Sequence, residues 1–324
     1  MELKERKISM IGRHLIRIKV LQTLYAYRKT ENPDMKVFTK ELEMSMKKSY
    51  EQYLVILLLL AELRDYANLR ITQIQERQIK DEEAWKRLER FANNRVLAQL
   101  ADNPDLMSIV ANEKLSLENY KTSVKEIYKN IIESEFYEAY IKSEDSYQAD
   151  KNFVRTVLLN VVAETESLFD SFEESSIFMN DDADNVVSMV EKTVKWFSES
   201  SEYGGDILPM FGDAETHDFG FNLFVKAVNM WDEINPYIDK NLKNWIQERV
   251  AEMDIIIMQL AVTEIIAYKE IPIPVSLNEY IEIAKWYSTE NSGSFINGIL
   301  YKVIEDLKKE GKIQKIGRGL ITKK

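Results

Sequence analysis

No glycine occurs between Gly12 and Gly204, and all 324 residues together hold only ten glycines and six prolines. Average usage is roughly 7% and 5%. Glycine supplies the left-handed backbone that tight turns and hairpins need, so a stretch this long without it argues against a sandwich or barrel of short strands. Glu, Lys, Leu, Ile and Met fill it instead, with charged residues at 30% of the chain, and these are good helix formers. The expected class is all-α, in a chain long enough for two ordinary domains or one with a large insertion.

Hydrophobic periodicity divides the chain. Ile11, Leu15, Ile18, Leu21 and Tyr25 recur at three- and four-residue steps, which predicts an amphipathic helix from Ile11 to about Tyr27, ended by Asn32-Pro33-Asp34. A long helix is expected from Thr39 to about Gln78, a second from Asp81 to Leu100, and a third from Ser116 to Tyr147, forming a hairpin or small bundle over 34–149. Asp150 is read as opening a helix that runs to Phe172, followed by a short helix near Asn185–Phe197. Residues 198–220 hold four of the ten glycines and read as an irregular linker. Helices are then expected near Asn222–Trp231, Pro236–Leu242 and Trp245–Tyr268. The last is apolar nearly all round and belongs in the middle of a bundle. Residues 271–275 are expected to be extended because of Pro272 and Pro274, with Ser276 and Glu279 forming a capping box. A final helix from Ser292 to about Glu310 precedes the basic tail 311–324.

The net charge of −11 is unevenly spread. Residues 1–28 carry Lys4, Arg6, Lys7, Arg13, Arg17, Lys19 and Arg28 against two glutamates, and 308–324 carry seven Lys/Arg against Glu310 alone. Both ends are basic and the body is acidic; from Thr156 to Glu191 there are nine carboxylates and no Lys or Arg. Such segregation lets one surface hold a polyanion while the rest repels it. Charge alone leaves open the plainer reading of two solvated basic ends.

Several function classes are excluded or starved of residues. There is no cysteine, hence no disulfide, thiolate metal site or cysteine nucleophile. His14 and His217 are the only histidines, leaving almost no candidates for general-base work near neutrality or for histidine metal ligation. Neither a G-x-G-x-x-G nor a G-x-x-x-x-G-K-[ST] phosphate loop occurs. With 54 carboxylates, chance pairs at helical spacing are unavoidable and define no acid/base dyad. No catalytic residue, cofactor or metal is expected. The longest apolar run, Leu54–Ala61, is too short to span a bilayer, the N-terminus lacks the apolar stretch of a signal peptide, and a cytoplasmic location with no membrane partner is expected.

Four stretches together resemble the NusB family of transcription antitermination factors. They are Arg13-His-Leu-Ile-Arg-Ile-Lys-Val-Leu-Gln-Thr-Leu-Tyr25; Phe153 to Asp170; Trp245, Arg249, Asp254 and Leu260-Ala-Val-Thr-Glu264; and Ile273-Pro-Val-Ser-Leu-Asn-Glu279 with Ser294-Phe-Ile-Asn-Gly-Ile-Leu300. The resemblance covers about half the chain. It implies a NusB-like pair of helical bundles assembled from 1–31, 150–175 and 235–310, with 32–149 as an inserted helical subdomain and 176–234 as an acidic insertion and linker. It further implies an RNA-binding antitermination factor acting on single-stranded boxA-like RNA with the ribosomal protein NusE, inside an RNA polymerase antitermination complex that transcribes ribosomal RNA.

Carried onto matching positions, the resemblance offers Arg6, Lys7, Arg13, His14, Arg17, Lys19 and Gln22 at the first helix, and Asn291 and Phe295 at the start of the last, as RNA-binding candidates. Arginine suits the role because its fork grips phosphates and guanine edges, and Phe295 suits base stacking or anchoring of its helix. Asn278, Glu279, Asn297 and Gly298 read as caps and close-packing positions rather than ligands. Asp254 and Glu264 either meet a partner or orient the core. The same fold resembles the N-terminal domain of certain ribosomal-RNA methyltransferases, but the Gly-rich cofactor domain and catalytic cysteine are missing. A protein-only helical adaptor, with RNA binding lost, is the remaining alternative.

Overall fold

The structure is a computed structural model describing residues 8–76, 82–242 and 250–321. Arg6 and Lys7, together with Trp245 and Arg249, lie outside the described residues. Among the described residues there are fifteen α-helices and no strand: α1 Arg13–Lys29, α2 Met35–Gln75, α3 Glu82–Ala92, α4 Arg95–Ala101, α5 Pro104–Glu113, α6 Lys121–Ile132, α7 Glu135–Lys142, α8 Tyr147–Val157, α9 Glu166–Ser175, α10 Ala183–Trp196, α11 Ala214–Asn229, α12 Trp231–Leu242, α13 Glu252–Ala267, α14 Ile273–Tyr287 and α15 Ser292–Lys309. The expected all-α class is what the chain adopts. No described helix is long and apolar enough to cross a membrane.

The chain forms two compact units. One comprises Ile11–Met44 and the chain from Phe211 onward; the other comprises Ser45–Met210 with the stretch ending at Met10. Residues 150–175, grouped with the core by resemblance, lie inside the second unit, and 211–234, set apart there as linker, lie inside the first.

In the first unit α13 is the spine. Eleven of its sixteen residues are buried, and it packs against α1, α11, α12, α14 and α15. Each fully buried Ile or Leu along it contributes about 1.5–3 kcal/mol, which is why a helix this apolar is stable only with neighbours on every side. The first turn of α1 has no acidic residue and no side-chain cap, so its N-terminal amides and partial positive charge are left to whatever approaches them.

In the second unit α8 packs against α4, α7 and α10. Its helices are shorter than the periodicity predicts, because caps interrupt the runs. Asn94 accepts from the amides of Val96 and Leu97 at 3.0 and 3.1 Å and starts α4. Asn103 accepts from Leu106 and starts α5 with Pro104 in its first turn. Ser134 caps α7, and Ser146 caps α8. Asp150 therefore does not open a helix; it sits within the first turn of α8 with a buried carboxylate. Between α10 and α11 the chain is irregular. There Gly204 takes φ +82, and a Cβ on it would fall 2.1 Å from the Phe197 ring.

Four local expectations in the first unit are corrected. Residues 273–275 are helical, since a proline at either of the first two helical positions has no intrahelical bond to lose, and α14 starts with Pro272 as its N-cap. Ser276 is consequently inside α14 and is not a cap. Pro236 lies within α12, which begins five residues earlier at Trp231. Gly298 is exposed, and a Cβ added to it would meet nothing within 4 Å, so it is not a close-packing position.

Candidate functional site

Arg13, His14 and Arg17 share one face of α1, as four-residue spacing dictates, and the chain has countercharges for all three. Arg17 is 3% exposed. Its Nε and Nη2 donate to the two oxygens of Glu264, each at 2.8 Å, and its Nη1 donates to Glu279 Oε2 at 3.2 Å. Glu264, fully buried on α13, also accepts from the hydroxyls of Ser276 at 2.7 Å and Tyr280 at 3.0 Å. The carboxylate is thus saturated by two charged and two neutral donors, and α1, α13 and α14 are joined through it. The carboxylates hold the Arg17 guanidinium above its ordinary range against the desolvation of burial, and burial beside Glu264 pushes the Tyr280 phenol up.

Around this buried pair the surface opens into a groove of about 960 Å³. Arg13 lies on its wall, paired with the exposed Glu215 and placed over the Phe219 ring at 5.1 Å. His14 Nδ1 lies 2.9 Å from Glu279 Oε2. Contact with His14 and the charge of Arg17 hold the Glu279 carboxyl below the usual range. A depressed carboxylate pKa contributes stability above its unfolded value that disappears as pH falls through the folded value. Glu279→Gln is therefore expected to lose about 1 kcal/mol at neutral pH and to show a flatter acid limb below the ordinary carboxylate range. Thermal melts of both proteins across that range check it; identical acid limbs would remove the contribution.

The other sequence candidates fall elsewhere. Lys19 is 1% exposed and Gln22 half-buried. Asn291 is exposed at the start of α15 and Phe295 is half-buried; neither lines the groove. Asp254 is buried and accepts from the Ser288 hydroxyl, and like Glu264 it lies inside the bundle away from solvent. Five charged groove residues were not among the sequence's site candidates: Glu215, Lys269, Glu270, Arg318, and Glu279, which was read only as a cap. Beside them Lys315 donates to the Tyr268 carbonyl at 2.9 Å, and half-burial lowers its amine to about 8. Among the described residues no cluster of three metal-ligating side chains occurs.

Comparison with known proteins places this unit. The NusB family model matches residues 209–305, a segment that lies in the first unit except for its first two residues. A relative from Salinibacter ruber, named transcription antitermination protein NusB, is 40% identical over 114 residues, spanning 35% of this chain and 71% of the relative. The chain belongs to the NusB family. Proteins of the same name from Chloroherpeton thalassium and Methylacidiphilum infernorum are 38% and 49% identical over 109 and 89 residues, matched over 52% and 62% of their own lengths. No solved structure matches. The NusB match omits nearly all of the Ser45–Met210 unit, including 150–175, and takes in α11, which packs on α1. Helix α1 completes the bundle from outside the matched segment.

Proposed function

We propose that this NusB-family chain is a transcription antitermination factor that binds single-stranded RNA at the N-terminal end of α1. The observation that carries the reading is the groove there, which combines an uncapped helix N-terminus with Arg13, His14, Lys269 and Arg318. Amides without a side-chain cap, a favourable helix dipole and side-chain cations along one concave surface suit a phosphate backbone. By the family resemblance the RNA is boxA-like and NusE is the protein partner. Within this reading Arg17 positions α1 and Arg13 contacts RNA, exchanging its bond to Glu215, whose side chain is 66% exposed and free to swing away.

The test is binding of purified protein to a boxA-like RNA and to a scrambled one, with and without NusE, at two salt concentrations. Sequence-preferring binding that tightens with NusE and weakens with salt is expected. Arg13→Ala should weaken it several-fold and lower the salt slope by about 0.7. Glu215→Gln, which removes a competing carboxylate, should tighten it. The withdrawal of Arg17 and Lys19 from solvent favours a second reading, a helical adaptor that contacts only proteins; absence of RNA binding even with NusE present would select it.

A further inference from the structure

The chain beyond α15 lies past the end of the family match at residue 305 and carries the second basic end. It folds back onto the connection between α13 and α14. Gly311, at φ +70, turns the chain out of α15. The Ile316 amide then donates to the Lys269 carbonyl at 3.0 Å, and Lys269 Nζ to Gln314 Oε1 at 3.1 Å. Gly317, at φ +52, starts a short 3-10 turn, Gly317–Leu320. Gly319 presses its backbone on the same connection so closely that a Cβ would fall 2.0 Å from the Lys269 carbonyl oxygen.

This packing brings Arg318 beside Lys269 in the groove that holds Arg13 and His14. Both are exposed, and neither has a carboxylate partner among the described residues. Of the three carboxylates lining the groove, Glu215 and Glu279 are engaged by Arg13 and by His14 and Arg17, which leaves Glu270. Exposed Val275, Ile316 and Ile321 line the same groove. Cations on several walls alongside apolar surface fit a chain bearing both phosphates and bases better than a lone phosphate ion.

We propose that the C-terminal segment is a clasp forming the second wall of the RNA site, with Arg318 and Lys269 holding phosphates of the strand that Arg13 engages and Gly319 fixing their position. The proposal rests on the RNA-binding reading above. Its test is the affinity of the full chain for a boxA-like single-stranded RNA across a salt series, in wild type, Arg318→Ala/Lys269→Ala and Gly319→Ala. The double variant is expected to bind about tenfold more weakly at low salt, with the salt slope reduced by about 1.4, near 0.7 for each lost single-strand phosphate contact, and with an unchanged melting temperature. Gly319→Ala deletes no charge yet should reproduce most of the loss by lifting the clasp. Wild-type binding that Arg13→Ala weakens but both clasp variants leave intact would overturn the clasp alone. Wild type that binds no RNA would overturn the reading beneath it and the clasp with it.

Discussion

Arg17→Ala is expected to remove about 3–5 kcal/mol of stability, on the order of 10 °C in melting temperature. The reason is what the substitution leaves behind. Glu264 is fully buried and loses both of its charged donors, keeping only Ser276 and Tyr280. A carboxylate deprived of its countercharge in that position costs far more than the pair contributes while intact, because the desolvation penalty is no longer offset. Arg17→Lys retains charge but not the two-pronged fork, and should fall between alanine and wild type. Arg17→Met/Glu264→Met removes both charges at once and should cost less than the sum of the single changes, although Ser276 and Tyr280 then lack an acceptor. Denaturant midpoints for these three variants, and for Arg17→Met and Glu264→Met alone, measure this; additive losses in the methionine series would show that the two residues do not act as a pair.

A consequence for function follows from that magnitude. Alanine at both Arg13 and Arg17 would weaken RNA binding whether or not Arg17 touches RNA, since the second change loosens the attachment of α1 to α13 and α14. Arg13, 21% exposed in its side chain and paired only with an exposed surface carboxylate, is the informative position. The contrast arises from a single helical turn.

That distinction was not legible in the sequence. Two arginines four apart on a basic helix read as one face seeking an anion, and the anion for Arg17 lies 247 positions away on α13. The all-α class was legible, because glycine scarcity and helical periodicity are properties of local segments. So was the burial of α13, whose apolar residues leave no face for water. Boundaries set by single side chains were harder to read. Asn94, Ser134 and Ser146 resemble any polar residue within a helical pattern until their side chains are seen accepting amides of the next turn. Pro272 and Pro274 predicted extended chain where the first turn of α14 accommodates them. The groove drew on Lys269, just past the end of α13, and on Arg318, which only the return of the C-terminal segment brings beside α1. Residues 150–175 group with the Ser45–Met210 unit rather than with the stretches they were joined to by resemblance, for a related reason. An apolar stripe specifies burial without specifying which neighbour provides it.

The second large effect concerns that same stretch. Asp150, 3% exposed, accepts from the Arg95 amide at 3.1 Å, from Arg95 Nε at 2.6 Å and from the Tyr140 hydroxyl at 2.8 Å, while its backbone carbonyl accepts from Asn94 Nδ2 at 3.2 Å. Asn94 Nδ2 donates to the Tyr140 hydroxyl as well. Asp150 thereby ties the start of α4 and the end of α7 to α8, beside the stacked rings of Tyr140 and Phe153, 4.0 Å apart. Asp150→Ala leaves the Arg95 amide without its acceptor and the Tyr140 hydroxyl with only the long contact to the Arg90 carbonyl at 3.5 Å, and Arg95 keeps only the exposed carboxylates of Asp145 and Glu199. The expected loss is about 3 kcal/mol, below that for Arg17 because Arg95 is 38% exposed and water takes over part of its solvation. Asp150→Asn preserves one acceptor but turns an amide toward a hydroxyl already receiving a hydrogen bond, so roughly half the loss should remain. Near-ultraviolet circular dichroism and denaturant midpoints report both variants. If alanine costs no more than asparagine, the carboxylate is not what joins α4 and α7 to α8. RNA affinity at the α1 groove serves as the independent reading: it should change little, because every residue of this network belongs to the Ser45–Met210 unit, whereas the groove is built from the other.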